Sequence, residues 1–88
     1  MPELILYTTG FCAPCRSARQ VLDYASKSVK FNLTEINASD HPDQAIQNGI
    51  TSTPTLIGLD NAGKESWRVV GVPRLQELRE LLTSENNS

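Results

Sequence analysis

Apolar residues fall in short blocks separated by polar turns, and their spacing within each block predicts the element there. Leu4-Ile5-Leu6-Tyr7 is a continuous apolar run, which suits a strand covered on both faces. Thr8-Thr9-Gly10 breaks it. From Ala13 to about Ser28 the period becomes helical: Cys15, Ala18, Val21, Leu22 and Ala25 share one stripe, with Arg16, Arg19, Asp23 and Lys27 mostly off it. Phe31–Ile36 reads as a second strand. Asn37 to His41 is polar; Asp40 fits a helix cap with Pro42 in the first turn, and Gly49 fits a left-handed stop after a short helix ending near Asn48. Thr55–Leu59 is a third strand, Asp60–Lys64 a hairpin loop, and Ser66–Val70 the returning strand. Gly71-Val72-Pro73 opens a last helix with Leu75, Leu78, Leu81 and Leu82 on its buried face, and 84–88 reads as a frayed tail.

The order strand–helix–strand–helix–strand–strand–helix contains a crossover, which makes a parallel pair, and a hairpin, which makes an antiparallel one. The economical arrangement is an α/β fold: a four-stranded mixed sheet, helices on both faces, with Leu4–Tyr7 and Thr55–Leu59 as the inner strands. At 88 residues this is one domain, placed over residues 1–83, and 39% hydrophobic against 20% charged content is enough for one modest core.

Charge removes some function classes. Eight Lys/Arg stand against ten Asp/Glu, interspersed, which offers no basic footprint for nucleic acid or an anionic membrane. The apolar run is too short to span a bilayer, and Pro2-Glu3 before it is unlike a signal peptide. The expected compartment is the cytosol and the expected state a monomer.

In that compartment Cys12 and Cys15, three apart, ask for a chemical explanation. A bridge closing so short a loop constrains the unfolded chain little. Half of a zinc site, an accidental pair of thiols and a redox pair are the competing readings. The zinc reading lacks further ligands, since there are no other cysteines and His41 is the only histidine. The redox reading gains from position. Cys12 falls where the first strand ends and Cys15 in the first helical turn, so both sulfurs face one side, and the helix N-terminus favours a thiolate at Cys12.

Phe11-Cys12-Ala13-Pro14-Cys15-Arg16 resembles the aromatic-Cys-x-Pro-Cys-basic signature of the thioredoxin/glutaredoxin superfamily, and Thr53-Pro54-Thr55 resembles its threonine–cis-proline segment. Gly71 matches a family glycine lining the substrate groove. The resemblance runs from Leu4 to Leu82 without the additional N-terminal strand and helix of full-length thioredoxins, like a minimal, glutaredoxin-sized member. It implies Cys12 as nucleophile and Cys15 as resolving thiol. It further implies Ala13 and Pro14 as modulators between them, and Phe11, Thr53, Pro54 and Gly71 as the substrate-binding wall. No metal or other cofactor is implied beyond the redox-active Cys12–Cys15 disulfide. Local sequence alone would leave Pro54 an ordinary trans proline starting a strand; the resemblance implies a cis Thr53–Pro54 bond.

Departures from the family pattern matter too. Thioredoxins pair a buried aspartate, six residues before the first cysteine, with a lysine on the neighbouring strand; here Leu6 takes the first position and Leu33 is expected at the second. Phe11 replaces the usual tryptophan. Glutathione sites of glutaredoxins carry Gly-Gly and an acid after the last strand, whereas this chain has Gly71-Val72-Pro73-Arg74. The resemblance therefore implies a reductase of client protein disulfides, recharged by a thioredoxin-reductase-type flavoprotein. A glutathione-recharged donor, for example to ribonucleotide reductase, is the alternative, and an adaptor with inert cysteines a third reading. His41 reads as a solvated turn residue, Trp67 as packing against the last helix, Tyr7 as part of the inner strand, and Arg16 and Arg19 as a solvated helix face.

Overall fold

The computed structural model of the chain describes residues 1–86. Seven elements follow one another: β1 (Glu3–Thr8), α1 (Ala13–Ser26), β2 (Asn32–Asn37), α2 (Pro42–Gln47), β3 (Thr55–Leu59), β4 (Glu65–Val70) and α3 (Leu75–Asn86). The strands form one sheet in the order β2-β1-β3-β4. β1 pairs parallel with β2 and antiparallel with β3, and β3 pairs antiparallel with β4. The α/β order and the two inner strands are those expected from the hydrophobic pattern. α3 continues to Asn86, into the segment read as a tail, and residues 87–88 lie outside the described residues.

Alternation along the inner strands divides the core in two. Leu4, Leu6 and Leu56 point to the face covered by α1 and α3, where they pack with Ala18, Leu22, Ala25, Leu78 and Leu82. Tyr7 and Ile57 point to the opposite face, which α2 covers through Ala45. Each fully buried leucine contributes about 1.5–3 kcal/mol of transfer free energy, so the first face dominates stability.

α2 has only six residues, too few to persist alone, and three side chains hold it. Asn48 donates from Nδ2 to the Tyr7 hydroxyl at 3.0 Å. Arg68 of β4 donates to the carbonyls of Asn48 and Gly49 at 2.7 and 3.2 Å, satisfying acceptors at the helix end, while Glu65 neutralises it. Gly49 ends the helix at φ +69°, as its position predicted. The N-terminal expectation is corrected. His41, not Asp40, is the N-cap and makes no side-chain cap bond; Asp40 belongs to the preceding turn, where Asn37 Oδ1 accepts from the N–H groups of Ser39 and Asp40.

Gly58 has a requirement the pattern did not reveal. It lies opposite Trp67 across the β3–β4 pair, and a Cβ at Gly58 would fall inside the indole ring's van der Waals shell. Trp67 packs against the cluster that contains Leu78 and Leu82 of α3, the packing role read from its strand, so its ring has little freedom to retreat. Gly58→Ala is expected to cost about 1–3 kcal/mol by overpacking, read as a lowered urea midpoint. An unchanged midpoint would mean that the ring does not lie across Gly58.

Candidate functional site

The end of β1 delivers the chain into a tight turn, and α1 starts immediately beyond it. Phe11 takes a positive φ of 54°, rare for a residue with a side chain, and its ring is fully exposed beside Cys12. Cys12 is the N-cap of α1 and is extended, with φ −112°. Its sulfur accepts the Cys15 N–H at 3.2 Å, and its carbonyl accepts the Arg16 N–H at 3.3 Å. Ala13 and Pro14 fill the two positions between, where the missing proline N–H removes no helical bond. Helical spacing brings the Cys12 and Cys15 Cα atoms to 5.2 Å, and the two sulfurs are joined in a disulfide. Cys15 is 0% exposed, whereas Cys12 is only partly covered. The accessible sulfur is thus also the one that caps the helix, and the N–H groups that it faces stabilise negative charge there.

The segment before β3 forms the wall opposite. The Thr53–Pro54 peptide is cis, as the family resemblance implied. The Thr53 hydroxyl lies 4.0 Å from Cys12 Sγ and 3.0 Å from the hydroxyl of Thr9. Pro54 is buried, and its carbonyl accepts the N–H of Gly71 at 2.8 Å, which brings the loop after β4 to the same wall. Gly71 has φ +90°, a conformation that penalises any side chain. Val70 and Val72, flanking it, are exposed apolar residues, as is Phe11. Cys12, Cys15, Thr53, Pro54 and Gly71 are therefore linked by a continuous set of contacts, with Phe11, Ala13 and Pro14 adjoining in the chain. Thr9, Val70 and Val72 were not singled out from the sequence; Thr9 read only as part of a strand break.

The strand register corrects one expectation. Leu6 is 0% exposed, as its place in β1 required, but Leu33 pairs with Leu4 and is 41% exposed on the edge strand; Glu35 is the partner of Leu6. A carboxylate thus stands beside the inner strand after all. Arg19, one turn beyond Cys15 in α1, donates to both Glu35 oxygens at 2.8 and 2.7 Å, so it is an ion-pair partner and not simply a solvated cation. The buried Thr8 hydroxyl donates to Glu35 Oε2 at 3.3 Å.

Arg19 hydrogen bonding holds the Glu35 carboxyl below its usual value, against a smaller opposing effect of burial and with help from the Arg19 charge and Thr8. A carboxyl whose folded pKa is depressed stabilises the fold above its unfolded pKa, and that contribution is lost as pH falls through the folded pKa. Both side chains are more than a third exposed, so solvent screening limits the pair to less than about 1 kcal/mol. Glu35→Gln should lower the neutral-pH urea midpoint slightly, and its difference from the parent should vanish once pH falls well below the ordinary carboxylate range. A difference that persisted in acid would assign the effect to packing.

Among the described residues, no cluster of three or more His, Cys, Asp or Glu is placed to hold a metal ion, and no helix is long and apolar enough to cross a membrane. His41 is exposed at the head of α2.

Comparison with known proteins places this geometry. The family model described as Thioredoxin matches residues 1–84. A thioredoxin of Chlamydia caviae is 37% identical over 84 residues, covering 94% of this chain and 81% of that one. A thioredoxin of Synechocystis is 30% identical over 76 residues, covering 84% of this chain and 71% of that one. The chloroplastic thioredoxin M4 of Arabidopsis thaliana is 32% identical over 76 residues, covering 84% of this chain but only 39% of its own length. Among solved structures, a mutant thioredoxin from Halobacterium salinarum superposes with a TM-score of 0.86 over 96% of this chain and 74% of that one, at 21% identity, a likeness of fold.

Proposed function

This chain belongs to the thioredoxin family and is a thiol–disulfide oxidoreductase, and on that premise we propose that it reduces client protein disulfides with Cys12 as the attacking thiolate and Cys15 as the resolving thiol. The observation that carries the assignment is the inequality of the two sulfurs: Cys12 is accessible and caps α1, and Cys15 is sealed beneath it. In the reduced protein the Cys12 thiolate attacks one client sulfur. A Cys12–client S–S bond forms, the client disulfide breaks, and its second sulfur leaves as a thiolate. That departing thiolate takes the Cys15 proton, since Leu6 stands where the family carries its carboxylate. Cys15 then attacks Cys12 Sγ, forming the Cys12–Cys15 disulfide and releasing the first client sulfur as a thiolate that takes a proton from water. Two electrons pass to the client.

Phe11, Thr53, Pro54 and Gly71 form the wall along which an extended client segment lies, with exposed Val70 and Val72 adding apolar contact. The electron source is a flavoprotein reductase of the thioredoxin-reductase type. Glutathione is disfavoured because Gly71-Val72-Pro73-Arg74 supplies one glycine and no acid where a glutathione site needs both. The working state is a cytosolic monomer. An insulin-reduction assay, recharged in parallel by thioredoxin reductase with NADPH and by glutathione with its reductase, tests this reading. Turnover is expected with the first system. Turnover with glutathione alone would make the protein glutaredoxin-like, and none with either would leave it a redox-inert adaptor.

A further inference from the structure

We propose that Thr9 is a positioning residue for the nucleophile, acting through Thr53 to hold a hydroxyl proton on Cys12 Sγ; this rests on Cys12 being the attacking thiolate. The Thr9, Thr53 and Cys12 side chains are connected in series, with 3.0 Å between the hydroxyls and 4.0 Å from the second hydroxyl to the sulfur. Thr53 has one proton and two neighbours that could accept it. Once Cys12 is a thiolate, a charge-assisted bond to sulfur outweighs a neutral bond between hydroxyls. The favoured order is therefore Thr9 donating to Thr53 and Thr53 donating to Cys12, each bond polarising the next.

Thr9 makes that order available in two ways. Its own proton satisfies the Thr53 oxygen, and its bond fixes the rotamer that aims Thr53 at the sulfur. The two threonines lie 44 residues apart, so the bond also joins the turn after β1 to the segment before β3. Both are partly buried, where such a bond is worth more than in open water.

Titratable and charged groups also stand on the elements around Cys12. They are Cys15 and Arg16 in α1, with Arg19 beyond them paired to Glu35 of β2, and Arg74 ahead of α3. Asp40 and His41 follow the turn that is tied to β1 by the Ala38 N–H bonding to the Thr8 carbonyl. β3 carries no charged residue. Substitution at Thr9 leaves every one of these unchanged.

The test is the pH dependence of Cys12 alkylation in the reduced protein, read by mass spectrometry of the modified peptide, with thermal unfolding to confirm folding. Thr9→Val should raise the Cys12 pKa by about half to one unit and slow alkylation correspondingly below that pKa, while Thr9→Ser should restore the parent profile. Thr53→Val should raise it at least as far, and the Thr9→Val/Thr53→Val pair should raise it no further than Thr53→Val alone. A Thr9→Val profile equal to the parent's, additive shifts in the pair, or failure of Thr9→Ser to restore the profile would overturn the proposal. A parent in which Cys12 is not the alkylated thiol would instead remove the nucleophile assignment on which it rests.

Discussion

Cys12→Ser is expected to lower disulfide reduction by at least about a thousandfold, because a hydroxyl at neutral pH supplies almost none of the anion that exchange requires. Cys15→Ser should also lose turnover, but at a different step. Its Cys12 sulfur keeps its position at the head of α1, facing the residue 15 N–H and the Thr53 hydroxyl. It can attack a client and then has no partner to release it. The two variants should therefore be alike in steady-state assays and unlike in a single turnover, where only Cys15→Ser releases the first client thiol. Equal first-thiol release by both variants would mean that either sulfur can attack and that the burial difference has no kinetic consequence.

The second large effect belongs to the core. Leu6 is 0% exposed and packs with Leu4, Ala18, Leu22, Leu56, Leu78 and Leu82. An aspartate there would lose that packing and bury a carboxylate without a cation, at a cost of about 3–5 kcal/mol. Glu35 stands at the paired position on β2 with its charge already engaged by Arg19, so it adds repulsion and no relief. The introduced carboxyl would have a raised folded pKa. Its penalty is thus largest above that pKa and shrinks as acid protonates it. Urea unfolding of Leu6→Asp should show a strongly lowered midpoint at neutral pH and a smaller deficit in acid. A midpoint equal to the parent's at neutral pH would contradict the burial of Leu6.

Much of this architecture could be read from the chain because strong local patterns coincide with burial. The run Leu4–Tyr7 became an inner strand, and the stripe Cys15, Ala18, Leu22 and Ala25 became the buried face of α1. The cysteine pair was legible because a strand end followed by a proline-containing helix start leaves few alternatives for its geometry. The register of β2 was not legible, for a physical reason. As an edge strand its first four residues are all exposed, so no contrast along it says which residue faces Leu6; Leu33 is the expected partner and Glu35 the actual one. The Arg19–Glu35 pair, the Arg68 clamp on α2 and the Thr9–Thr53 bond join residues 16, 20 and 44 positions apart. Contacts of that kind leave no periodic trace. Gly58 was hidden likewise, because its requirement comes from an indole ring on the next strand.

If Cys12 attacks and Cys15 resolves, the covalent intermediate can be trapped on one sulfur and not on the other. Reduced Cys15→Ser and Cys12→Ser proteins, each mixed with a disulfide-bonded client and quenched in acid, would be digested and mapped by mass spectrometry. The expected result is a client disulfide on Cys12 in the Cys15→Ser protein and little or no adduct on Cys15 in the Cys12→Ser protein, where the remaining sulfur lies buried beneath the helix start. Adducts on Cys15 in the Cys12→Ser protein, with none on Cys12 in its counterpart, would contradict it.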